Sequence, residues 1–236
     1  MPGTVRVERV STSDGELDAH VVLPDAGSGP GIVVLQEIFG VGDYIKEAAD
    51  RLAGLGYVAL APDLYWRIEP NIALPHDEAG LGQAFEVSQQ LDPELAVRDS
   101  IDALTTLREL PEVTDGKAGV LGFCLGGTLA FGVATHGDPD AAVCYYGSGI
   151  AGMLDQADAI TCPVLFHFGG ADPYIAREQV DAVRAFADSR PDMECHVQEG
   201  AGHAFDNHFS AMFHQPEPAA RAWEITRDFL ARTLPV

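Results

Sequence analysis

The chain has 236 residues and a formal net charge of −22, from 36 acidic and 14 basic residues. A surface of that sign repels polyanions, so neither nucleic acid nor an anionic membrane is expected as a partner. Hydrophobic residues make up 47%, enough for a sizeable core and too many for a disordered chain.

Two alternating segments, VRVERVST and LDAHVVLP, open the chain and read as antiparallel strands. The buried strand GIVVLQ follows, then the helix DYIKEAADRLAGLG, which stops at Gly54 or Gly56. Next come the strand YVALAPD, an irregular proline-bearing stretch over 62–75, and helices over about 77–90 and 93–110. Strand and helix then alternate. KAGVLGF precedes a helix over 125–135, and AAVCYYG precedes a loop and short helix. CPVLFHFGG precedes a helix over 175–188, and MECHVQE precedes a terminal helix near 217–233. This alternation predicts one α/β domain over 1–236: a mostly parallel twisted sheet, helices on both faces and an antiparallel N-terminal edge.

The sequence contains no apolar run long enough to span a bilayer, and MPGTVRVERVSTSDGELDAH lacks an apolar secretion core. Cys124, Cys144, Cys162 and Cys195 are widely spaced, without a CxxC pair. They read as reduced thiols, and a cytoplasmic location is expected.

In such sheets, sites gather at the carboxyl ends of the strands. Cys124 ends the strand AGVLGF and opens a helix, framed by Gly122, Gly126 and Gly127. That frame matches the turn that presents a nucleophile in G-x-S-x-G sequences, with cysteine in the serine's place. The helix start favours thiolate and supplies free N–H groups. Asp172 lies in a glycine- and proline-bearing turn after the penultimate strand, and His203 lies in the loop GAGHAFDNH after the last. The order nucleophile, acid, base is that of α/β-hydrolases. A thiol needs a neighbouring imidazole for efficient attack near neutrality, and the imidazole needs an acceptor on its other nitrogen. The Leu125 N–H would give one oxyanion donor, and the loop QEIFG after GIVVLQ would give the second. Each residue alone has a plainer reading: a cysteine packs in a core, an aspartate forms a turn, a histidine caps a loop. The spacing of His203, His208 and His214 could also suggest a metal, but no acidic or cysteine cluster accompanies them at familiar spacing.

The segments QEIFGV, APDLYWR, GKAGVLGFCLGG, CYYG, HFGGAD and EGAGHAF together resemble the dienelactone hydrolase (carboxymethylenebutenolidase) family, in order along nearly the whole chain. The resemblance implies an α/β-hydrolase fold without a large lid and a triad of Cys124, His203 and Asp172. It implies Ile38 and Leu125 as oxyanion donors, with no cofactor and no metal, and a monomer by default. It also implies that Glu37 contacts the resting thiol and takes part in its activation. As a carboxylate, Glu37 would disfavour thiolate by like charge until it moves.

Specificity is where the chain departs from the family. Two arginines bind the substrate carboxylate in dienelactone-cleaving members. Here Leu81 stands in the first region, and Asp206 and Asn207 in the second. Burying a carboxylate without a partner is costly, so a neutral or less acidic ester or lactone is expected. Phe39, Trp66, Phe85, Tyr146, Phe205 and Asn207 would line the pocket, with Arg67 and His76 as candidate local cations. Two rival readings are a thiol redox sensor and a non-catalytic binding protein on a hydrolase scaffold.

Overall fold

The computed structural model describes residues 4–236. Its strands are β1 (Val5–Ser11), β2 (Glu16–Val22), β3 (Gly29–Leu35), β4 (Val58–Pro62), β5 (Val113–Phe123), β6 (Ala142–Tyr145), β7 (Val164–Gly169) and β8 (Met193–Gln198). They form one sheet in the order β1-β2-β4-β3-β5-β6-β7-β8. β1 pairs antiparallel with β2, and β2 antiparallel with β4; the remaining pairs are parallel. The expected antiparallel N-terminal edge is therefore present. β3, β4 and β6 are buried at every residue, as strands covered on both faces must be.

The helices are α1 (Asp43–Gly54), α2 (Glu78–Ser88), α3 (Pro93–Glu109), α4 (Leu125–His136), α5 (Arg177–Asp188) and α6 (Pro216–Thr233), with a 3-10 segment at Ile150–Ala159. α2 and α3 begin where their sequences direct. The Asp77 carboxylate accepts from the Gly80 N–H at 2.8 Å, and Asp92 accepts from Glu94 and Leu95 at 2.9 and 3.1 Å. α1 and α6 meet where the Arg51 guanidinium lies over the Trp223 ring, 3.9 Å from its centroid. α4 is apolar almost all round and has nine buried residues, so it packs inside the molecule between sheet and neighbours.

β5 is longer than the sequence pattern predicts. It begins at Val113, four residues before KAGVLGF, even though Asp115 and Gly116 take positive φ within it. The pairing with β3 accommodates this by a register shift between Gly29 and Gly31. No helix among the described residues is long and apolar enough to cross a membrane.

Candidate active site

The central strand β5 delivers Cys124 directly to the start of α4. Cys124 takes φ 54° and ψ −113°, a backbone conformation that side chains other than glycine's seldom adopt. The turn closes only because its flanks are bare. A Cβ on Gly122 would drive into the carbonyl oxygen of Gly126, and one on Gly126 into that of Leu35 on β3. The Cys124 N–H is tied to the Tyr145 carbonyl of β6 at 3.0 Å, fixing the turn to the adjacent strand.

Three side chains meet at this turn. His203 Nε2 lies 3.2 Å from Cys124 Sγ, and His203 Nδ1 donates to Asp172 Oδ2 at 2.7 Å. The other Asp172 oxygen accepts from the Tyr174 N–H at 2.8 Å, so the carboxylate cannot rotate away. Burial works against a charged imidazole. The hydrogen bonds to Asp172 and Cys124 outweigh it and raise His203 to about 10. The site therefore favours the charged imidazolium. The N–H groups of Ile38 and Leu125 have no protein acceptor among the described residues. Tyr65 donates to the Ile38 carbonyl at 2.9 Å and so fixes that peptide.

A cavity of about 440 Å³ opens in front of the thiol. Its wall includes Glu37, Ile38, Phe39, Leu81, Phe85, Cys124, Leu125 and His203, but no lysine or arginine. Its wall also includes Tyr174, Phe213, Thr128 and Leu129, which the sequence does not single out. Tyr174 lies two residues past Asp172, and Thr128 and Leu129 lie one helical turn past Cys124. Helical periodicity alone could have found the latter pair.

Several expected lining residues lie elsewhere. Trp66 donates from Nε1 to Asp99 at 2.9 Å, and Arg67 is ion-paired to both Asp14 and Asp99 while stacked on Trp66. Two carboxylates already claim that guanidinium, so it does not reach the cavity. Tyr146 and Phe205 are fully buried behind His203, the Tyr146 ring 5.2 Å from the imidazole. His76 is largely buried and stacked on Phe39 at 4.3 Å, and burial lowers its pKa, so it is no local cation.

Glu37 lines the same cavity as Cys124, but its Oε1 makes no hydrogen bond among the described residues, to the thiol or to any other group. Asn207 Nδ2 donates to its Oε2 at 2.7 Å and also to His76 Nδ1 at 2.7 Å, which places Asn207 behind Glu37 and not on the substrate side. The Phe209 N–H donates to Asn207 Oδ1 at 3.1 Å and sets the amide's orientation. Burial pushes the Glu37 carboxyl up to about 8, aided by Asp206 and opposed by His203 and Asn207. A carboxyl raised that far carries little negative charge at pH 7 with which to repel a thiolate.

This has a pH consequence. The folded carboxyl titrates near 8 and an ordinary one at 4.5, so between these values the folded state holds a proton that the unfolded chain has released. The stability contribution is complete below 4.5 and is lost as pH rises to 8. The Tm of Glu37→Gln, measured against wild type from pH 5 to 8.5, is expected to climb relative to wild type with pH. Parallel curves would show that Glu37 is ionised throughout.

Asp206, which follows His203 by three residues, is buried. Its Oδ2 accepts from Tyr44 at 2.8 Å and from Arg51 at 3.1 Å. The Tyr44 and Tyr146 hydroxyls are 3.3 Å apart, which links this cluster to the residue behind His203. The ring of His208 lies 6.0 Å from that of His214, away from His203's partners. Among the described residues no three His, Cys, Asp or Glu side chains are grouped to hold a metal.

The eight-stranded, mostly parallel sheet and the strand-to-helix turn that carries Cys124 define an α/β-hydrolase. The chain belongs to the dienelactone hydrolase family, whose model matches residues 17–234. It is 38% identical over 224 residues to the carboxymethylenebutenolidase of Pseudomonas putida, covering 94% of each chain. It is 30% identical to a probable 2-oxo-3-(5-oxofuran-2-ylidene)propanoate lactonase of Bradyrhizobium sp, covering 86% of this chain and 84% of the relative. Among solved structures, a dienelactone hydrolase-like promiscuous phosphotriesterase from metagenomic libraries superposes with a TM-score of 0.83. It is 26% identical, and the match covers 99% of this chain and 100% of that one. A putative dienelactone hydrolase from Klebsiella pneumoniae gives 0.81 at 26% identity, covering 97% and 98%.

Proposed function

We propose that this family member cleaves a small, locally uncharged ester or lactone, with Cys124 as nucleophile. The observation that carries the reading is the continuous chain from Cys124 Sγ through the His203 ring to Asp172, at the head of a cavity without a lysine or arginine. The thiolate attacks the carbonyl carbon, and the C=O electrons move to an oxyanion held by the Ile38 and Leu125 N–H groups. The tetrahedral adduct then collapses to a thioester. The departing alkoxide takes the proton from His203 Nε2. Water attacks the thioester as it gives a proton to His203, and the thiolate leaves with the acid formed. Asp172 keeps the imidazole in the required orientation throughout.

The substrate preference follows from the cavity wall. Leu81 and the fixed Asp206–Arg51 pair leave no lysine or arginine for a carboxylate close to the reacting carbonyl, and the His203 imidazole is already committed to Asp172 and Cys124. Such a group would lose its hydration without compensation. A paired panel of esters and lactones, with and without a carboxylate near the carbonyl, is expected to favour the uncharged member by about tenfold or more in kcat/KM. A preference for the carboxylated members overturns the specificity; no cleavage of any member overturns the activity. The same reading takes the chain as one domain without a large lid, monomeric, acting in the cytoplasm on a small-molecule substrate. Its four cysteines are free thiols.

A further inference from the structure

A second cavity, of about 610 Å³, adjoins the first. It shares Pro93, Thr128 and Leu129 with the wall in front of Cys124. It runs between α3, α4 and the 3-10 segment, and its lining residues are of two kinds. Val97, Ile101, Leu129 and Met153 form an apolar floor, while Glu94, Arg98, His136 and Gln156 supply polar side chains. Gly132 lets the elements close over this floor, since a Cβ there would lie 2.6 Å from Val97 and 3.6 Å from Met153.

The charges in this groove are distributed unlike those around the thiol. Arg51, Arg67, Arg108 and Arg177 are all ion-paired. Arg98 is exposed and has no carboxylate within 4.0 Å among the described residues. His136, in the last turn of α4, adds an imidazole at the end where that helix favours positive charge. Glu94 sits one turn before Arg98 on α3, toward the Pro93 end, so an anion is repelled near the shared wall and attracted beyond it. From Thr128 to His136 the groove follows α4 for roughly 12 Å, at 1.5 Å per residue.

Resting on the hydrolase reading above, we propose that this groove is an acyl-chain subsite for esters whose medium-length apolar chain ends in a carboxylate, with Arg98 as the residue that binds it. The carbonyl lies at Cys124, the methylenes lie over Val97, Leu129 and Met153, and the distal carboxylate meets Arg98. The exposed Phe85 and Tyr174, 6.3 Å apart at the mouth of the first cavity, leave that side for the departing alcohol. The absence of lysine and arginine from the wall near the thiol and the free arginine beyond it then have one explanation. Charge is excluded beside the carbonyl and accepted only at the far end of the chain.

Binding to the Cys124→Ala protein tests this without turnover, using calorimetry with monomethyl suberate, methyl octanoate, monomethyl succinate and methyl butyrate. Monomethyl suberate is expected to bind about two- to fivefold more tightly than methyl octanoate, the upper part of the range of one exposed ion pair. Monomethyl succinate, too short to reach Arg98, is expected to show no such gain over methyl butyrate. Arg98→Gln in the same background should close the suberate gap, and added salt should narrow it. Equal affinities for suberate and octanoate esters, or a gap that survives Arg98→Gln, overturns the proposal. Neither result depends on hydrolysis, so failure of the subsite and failure of the proposed activity are read separately.

Discussion

Replacing Cys124 by alanine is expected to lower ester turnover by about 10³-fold or more, because the variant keeps the cavity and free N–H groups but loses the attacking atom. Serine is expected to restore little. A thiol gives up its proton to a neighbouring imidazole far more readily than a hydroxyl does. A second readout checks the electrostatics. The Cys124 contact is one of the influences that raise His203 to about 10, so its removal must lower the imidazole titration in Cys124→Ala, seen by nuclear magnetic resonance. Unchanged turnover in Cys124→Ala removes the thiol from the mechanism. An unchanged His203 titration leaves Asp172 as the source of the shift and removes the thiolate–imidazolium pair.

Arg51→Met is expected to destabilise the protein by roughly 3–5 kcal/mol, because it leaves the buried Asp206 carboxylate without its counter-charge. For a chain of this size that is a fall in Tm on the order of 10 °C. Tyr44 still donates to Asp206 Oδ2, but Asp206 Oδ1 already lacks a partner, so no spare donor is at hand. Adding Asp206→Asn should recover part of the loss, since the charge that needed Arg51 is gone. The two substitutions are therefore expected to be non-additive. Additive losses would show that Arg51 stabilises through its packing on Trp223 instead.

These two residues mark the boundary of what the sequence discloses. The strand and helix alternation is legible because each element's apolar spacing is local, and Asp77 and Asp92 announce their helices within three residues. Cys124 is legible for the same reason: the glycines that permit its turn are adjacent to it in the chain. Asp172 and His203 follow from their places after successive strands. The pairing of Asp206 with Arg51 spans 155 positions, and nothing local to either residue points to the other. Trp66 and Arg67 mislead because they follow a strand end, as site residues do. Asp99, far along the chain on α3, draws them away. The fate of Glu37 is equally hidden, because its protonation depends on burial and on Asp206, neither of which its neighbours in the chain record.

The backbone at Cys124 sets stability against reactivity at one codon. A side chain held at that φ and ψ costs on the order of 1–3 kcal/mol, a cost that glycine would avoid. Selection for heat tolerance alone therefore pushes position 124 toward glycine, a change that erases the thiol. A lineage of this chain that has given up chemistry should reveal it first there, as a sturdier protein with an empty turn.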